Sequence, residues 1–196
     1  VTDILVLLLF IFLRLCIFVL LLRFLAQLTR ADPGNPISRF VIAVTNPSLQ
    51  LLRQLLPPRQ GFDFASLILA YLLTILLLWL GERIVPEAEV AMIGLGALFL
   101  GSVILLVEAM LDLYFYMLII LVVVSWVAPS SRHPGIELIH QVTAPLLNRI
   151  RLLIPPLYGL DFSIVVVLLA IYLVESVILH AAFVALMPPG LMQGMR

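Results

Sequence analysis

The chain has 196 residues, of which 64% are hydrophobic and 11% charged, with a mean hydropathy of +1.24 and a formal net charge of zero. A soluble domain carries about 25% charged residues and about half apolar ones, and a globule of this length still wets much of its surface, so lipid must be the solvent for much of this chain. Zero net charge offers no basic field for nucleic acid. The one cysteine, Cys16, excludes an internal disulfide or a thiolate metal cage, and inside an apolar run it reads as inert packing.

In chain order, the first element is an apolar run from Ile4 to Leu28. It lacks a basic segment in front, Arg14 and Arg23 interrupt it, and no small-residue cleavage site follows. It therefore reads as a retained transmembrane helix and not as a secretory signal. Further spans are predicted over Phe64–Leu80, within Ser102–Trp126, and over Phe162–Met187. A bilayer core of about 30 Å needs roughly 20 helical residues, and in lipid the backbone must satisfy its own hydrogen bonds, so helix is expected throughout. Ala88–Gly101, short and glycine-rich, is open to three readings: a fifth span, an interfacial helix, or an extension of the third span.

Between the spans the chain repeats itself. Sliding it by 98 positions aligns Pro36–Phe64 with Pro134–Phe162, and 12 of the 29 pairs are identical. About two identities would be expected by chance in such a window. The identical positions include Pro47 and Pro145, Arg53 and Arg151, Pro57-Pro58 and Pro155-Pro156, Gly61 and Gly159, Asp63 and Asp161. The expected organisation is a first repeat over 1–87, a junction over 88–101, and a second repeat over 102–196. Each repeat reads span, amphipathic connector, span. The fold class is thus an all-α membrane protein of four transmembrane helices in two tandem repeats of the same orientation.

Arginine placement orients it. The first connector holds Arg30, Arg39, Arg53 and Arg59, and the second holds Arg132, Arg149 and Arg151; Arg83 at the junction stands among Glu82, Glu87 and Glu89. By the positive-inside rule, connectors 29–62 and 128–161 are expected in the cytoplasm and the termini in the periplasm. Within the connectors, Pro47 and Pro145 each suit the first turn of a helix. Leu49, Leu52, Leu55 and Leu56 then form an apolar face, as do Leu146, Leu147, Ile150 and Ile154, so these helices should lie in the headgroup plane. The stretch before each proline is expected to add a turn or two. The paired prolines stop the helix, Gly61 and Gly159 allow a turn, and Asp63 and Asp161 are placed to cap the next span.

Arg14, Glu108, Asp112 and Glu175 fall inside the spans, where ionisable groups are functional candidates by default. The offset of 98 makes Arg14 and Asp112 equivalent in depth and opposite in charge, so a buried pair between the repeats is predicted, with Glu175 as the rival partner. His133 and His140 lack a third ligand nearby. No phosphate-binding loop, nucleophile elbow or zinc-protease motif occurs, so no catalytic, cofactor or metal residue is expected, and the chain does not read as an enzyme.

The duplicated "VTNPSLQLLRQLLPPRQGFDF" and "VTAPLLNRIRLLIPPLYGLDF" resemble the YggT family, small bacterial membrane proteins with plastid YlmG relatives. The resemblance implies an inner-membrane protein linked to osmotic-stress tolerance in some bacteria, with relatives associated with septum or nucleoid organisation and with assembly of plastid haem proteins. It implies no catalytic residues. Two functions follow as expectations: a membrane-organising or assembly factor acting through its connectors on anionic headgroups or membrane-protein partners, or a small transporter or ion-homeostasis protein using the intramembrane carboxylates.

Overall fold

The computed structural model describes residues 2–55, 63–84, 94–128, 130–153 and 162–186. Helix α1 covers Thr2–Leu28, α2 Pro36–Leu55, α3 Phe64–Ile84, α4 Leu95–Val127, α5 Pro134–Leu153 and α6 Phe162–Leu173. A π-helical turn, Val174–Leu179, leads from α6 into α7, His180–Leu186. No strand occurs among the described residues. Among the described residues, four helical stretches are long and apolar enough to cross a membrane: Ile4–Leu28, Phe64–Gly81, Leu95–Val127 and Phe162–Leu186.

The helix of the third span runs beyond Ser102–Trp126, from Leu95 to Val127. Residues 95–101 are the opening turns of α4, so there they extend the third span; residues 88–93 lie outside the described residues. At 33 residues and 1.5 Å per residue, α4 is about 50 Å long, longer than a bilayer core and able to run past it.

The connector helices also start earlier than predicted. Pro47 and Pro145 lie inside continuous 20-residue helices that begin at Pro36 and Pro134. Proline at the first helical position loses no hydrogen bond, and the interior prolines are tolerated because they sit on outward faces. Pro47 and Ala43, whose carbonyl Pro47 cannot bond, are both exposed. A carbonyl on an exposed residue can be satisfied from outside the helix, so the usual penalty is reduced.

Lipid tails are as apolar as leucine, so close packing rather than hydrophobic transfer must join the spans, and small residues favour it. Ala65, Ser66 and Ala70 on α3 and Gly101 and Ser102 on α4 are all buried. Helices α1, α3 and α4 pack on one another around Leu13, Ile17, Leu21, Leu77 and Leu106. Helix α6 lies on the far side of α4, with Leu118, Leu147, Val167 and Ile171 between them and α5. The α5 residues Leu138 and Val142 meet Phe24 and Leu25 at the end of α1.

Candidate functional site

A densely bonded polar group lies where α1, α2 and α3 converge. Arg23, one turn and a half before the end of α1, is 2% exposed, and Asp63, immediately before α3, is 1% exposed. Arg23 Nε donates to Asp63 Oδ2 at 3.1 Å. Its Nη1 donates to the Ile42 carbonyl at 3.1 Å and to the Thr45 hydroxyl, and its Nη2 to Asn46 Oδ1 at 2.9 Å. Thr45 Oγ1 in turn donates to the Val41 carbonyl at 2.6 Å.

Arg53, near the end of α2, closes the group from the other side. Its Nη2 donates to Asp63 Oδ2 at 2.6 Å and its Nη1 to Asn46 Oδ1 at 3.2 Å. The Ser66 hydroxyl adds a third donor to the same carboxylate oxygen at 2.8 Å. The carboxylate thus takes side-chain donors; the Ser66 N–H bonds the Asp63 carbonyl instead. Burial alone would raise the Asp63 carboxyl, but the hydrogen bonds from Ser66 and Arg53 and the charges of Arg53 and Arg23 outweigh it and hold it below its ordinary value. Two guanidinium groups against one carboxylate leave the cluster with one net positive charge. Chemically the group is a clamp: it holds α1, α2 and the start of α3 to one another.

Of the repeat-motif residues, the structure therefore brings Arg53 and Asp63 together. Arg151, the counterpart of Arg53, donates to Asn148 Oδ1 at 3.2 Å. Pro57, Pro58, Gly61, Pro155, Pro156, Gly159 and Asp161 lie outside the described residues. The sequence reading misses Arg23, Asn46 and Ser66, because the repeat replaces them: 98 positions on stand Leu121, Ala144 and Ile164. The available signal is an arginine retained near the end of an apolar span, where an apolar residue would serve the bilayer better.

The two connectors lie side by side. Asn35 Nδ2 donates to the Pro134 carbonyl at 2.7 Å, and the Asp32 N–H to Gln141 Oε1 at 2.8 Å. Asn35 also caps α2, its Oδ1 accepting the Ile37 N–H at 2.9 Å. Around this joined surface Arg30, Arg39, Arg132 and Arg149 are exposed and have no ion-pair partner among the described residues. Phe40, Val44 and Leu51 on α2 and Leu152 and Leu153 on α5 are exposed as well.

The intramembrane charges gather at a second place. Arg14, Glu108 and Asp112 line one cavity of about 170 Å³, with Thr74 and Tyr116 on its wall. Glu175 lies in the π-helical turn, which packs on α4. Arg14 and Asp112 share this cavity without forming an ion pair among the described residues. No cluster of three metal-ligating side chains occurs among the described residues.

The model of the family described as CCB3/YggT matches residues 2–84 and again residues 100–182, a displacement of 98 at both ends. The Pseudomonas aeruginosa protein PA0392 is 38% identical over 172 residues, covering 85% of this chain and 83% of the relative. A Vibrio alginolyticus protein from the proC 3′ region is 34% identical over 157 residues, covering 80% and 83%. The Escherichia coli K12 protein YggT is 32% identical over 157 residues, covering 80% and 79%. No solved structure matches the chain.

Proposed function

This chain belongs to the CCB3/YggT family, and on that premise we propose that this multi-pass membrane protein is a non-enzymatic organising or assembly factor of the inner membrane. Its working surface is the joined pair of connector helices, both on the cytoplasmic side. One observation carries the reading: α2 and α5 are tied to each other through Asn35–Pro134 and Asp32–Gln141. Two repeats running in the same direction account for that contact, since inverted repeats would put the connectors on opposite faces. The exposed arginines then attract anionic headgroups, each contributing about 1 kcal/mol near such a surface, while the exposed apolar side chains enter the acyl boundary. Osmotic-stress tolerance is a natural consequence for a factor that organises lipid or neighbouring membrane proteins.

The test is native mass spectrometry of the protein released from nanodiscs of phosphatidylserine and phosphatidylcholine. The wild type should retain phosphatidylserine in excess, and the quadruple variant with Arg30, Arg39, Arg132 and Arg149 changed to Gln should lose that excess. Equal retention by both proteins overturns the reading.

A second reading rests on the Arg14–Glu108–Asp112 cavity: a small transporter in which these carboxylates and Glu175 carry an ion. It requires ion flux in proteoliposomes that disappears in a Glu108→Gln, Asp112→Asn, Glu175→Gln variant, and absence of flux in the wild type eliminates it.

A further inference from the structure

A second cavity, of about 140 Å³, lies between the last turns of α1, the following loop, the first half of α2, and Leu138 of α5. Leu22, Val41 and Leu138 make its apolar walls, and Arg23, Gln27 and Ser38 are its polar ones. Ser38 is 6% exposed, and its Oγ is buried with no hydrogen-bond partner. The positive charge of Arg23 is already directed at Asp63, so the cavity does not ask for an anion. A cavity of roughly 150 Å³ accepts a molecule of about six non-hydrogen atoms such as benzene. Here the occupant must also satisfy a buried hydroxyl, because a polar group left unpaired away from water is costly.

We propose that this cavity binds an uncharged polyol group of about glycerol size, with its hydroxyls on Ser38 Oγ and the Gln27 amide and its carbon edge on Leu22, Val41 and Leu138. Two sources share that chemistry: the headgroup glycerol of phosphatidylglycerol, and a free polyol. The lipid source fits the position. Arg30 and Arg39, each next in sequence to a residue of the cavity wall (Ala31 and Ser38), are exposed and can meet the phosphate while the glycerol enters. The inference rests on the reading that the connectors lie at headgroup level, and it adds a choice of headgroup to a surface that otherwise distinguishes only charge.

The experiment compares phosphatidylglycerol with phosphatidylserine, which carry the same net charge, in competition for the full-length protein in nanodiscs, read by native mass spectrometry. The wild type should prefer phosphatidylglycerol about five- to tenfold, the effect of one or two hydrogen bonds, and Ser38→Ala should bring the ratio close to one. Ser38→Ala keeps the Cβ and removes a group with no protein partner, so its thermal midpoint in detergent should match the wild type, which verifies that the variant folds. Glycerol added at molar concentration should abolish the preference if the site takes the polyol from either source; if it binds glycerol yet shows no lipid preference, the free polyol is the ligand. Equal binding of both lipids together with no effect of glycerol on the Ser38 region, followed by hydrogen exchange, overturns the proposal and leaves the cavity as a water site. Because both lipids are anionic, that outcome leaves the arginine-based reading standing. Loss of all anionic lipid binding would remove that reading instead.

Discussion

Arg23 and Asp63, 40 positions apart, meet at 3.1 Å with side chains almost wholly removed from solvent. Their contact ties the outgoing end of α1 to the start of α3. Removing one member of a buried pair costs about 3–5 kcal/mol because the other charge stays behind. The two partners are not equivalent here. Asp63→Ala leaves two guanidinium groups without a counter-charge and should lower the unfolding free energy in detergent by the full amount. Arg23→Leu, which copies Leu121 of the second half, leaves Asp63 with Arg53 and Ser66 and should cost less. Chemical unfolding of the two variants tests the ranking, and an Asp63→Ala protein as stable as Arg23→Leu would contradict it.

The same carboxylate sets a pH dependence. Its folded-state value is below its ordinary one, so the folded state binds the proton less readily than the unfolded state. The stabilisation is complete above the unfolded value of about 3.9 and is lost as pH falls through the lower folded value. The thermal midpoint of the solubilised protein should therefore drop on that acid limb, and the drop should shrink in Asp63→Asn. A variant with the same acid limb as the wild type would assign it to other carboxyls.

Asn35 performs two tasks with one 4% exposed side chain: its oxygen caps α2 and its nitrogen holds α5. The two can be separated. Asn35→Ser keeps a capping oxygen and loses the bridge, at about 1 kcal/mol; Asn35→Ala loses both, at about 2 kcal/mol. Hydrogen exchange at the start of α5 should rise to the same degree in both variants, while the first turn of α2 should open only in Asn35→Ala. Protected α5 amides in both proteins would mean that the bridge carries no stability.

The four spans are legible because lipid imposes composition and length directly. The clamp is only half legible. Arg53 and Asp63 stand out through repetition, but their contact depends on how α2 packs against α3. Arg23 does not stand out, since comparison with the second half returns Leu121 and its partners come from α2 and from Asp63, just ahead of α3. Pro47 and Pro145 mislead for a local reason. A proline favours a helix start on average, whereas tolerance inside a helix depends on which way the freed carbonyl faces.

Arg53 illustrates how position in the fold reassigns a residue. As a connector arginine it reads as a headgroup contact, yet its side chain is 26% exposed and bonded to Asp63 and Asn46. Arg53→Gln should reduce stability by about 2 kcal/mol, within the range for a charge-assisted hydrogen bond, and leave lipid retention near the wild-type level. Arg149→Gln should do the reverse, with unchanged stability and weaker phosphatidylserine retention. Measuring both quantities on both variants separates a clamp from a contact, and parallel behaviour of the two would refute the distinction.

Among the described residues, Arg14 is the only cation on the wall of the intramembrane cavity it shares with Glu108 and Asp112. A charge at mid-bilayer costs about 2.5–3.5 kcal/mol by insertion scales, and opposite charges around one cavity offset part of that cost even without direct contact. Arg14→Leu removes the offset and leaves the carboxylates facing one another, so it should destabilise the protein by about 1–3 kcal/mol despite being more apolar. Adding Asp112→Asn should restore most of the loss, because it removes the repulsion that the first change exposed. Adding Glu137→Gln, on an exposed position of α5, should restore nothing. Steric-trapping or denaturant unfolding in bicelles measures all four proteins. If Arg14→Leu proves as stable as the wild type, or if both second changes rescue it equally, the charges around this cavity are not coupled through Arg14.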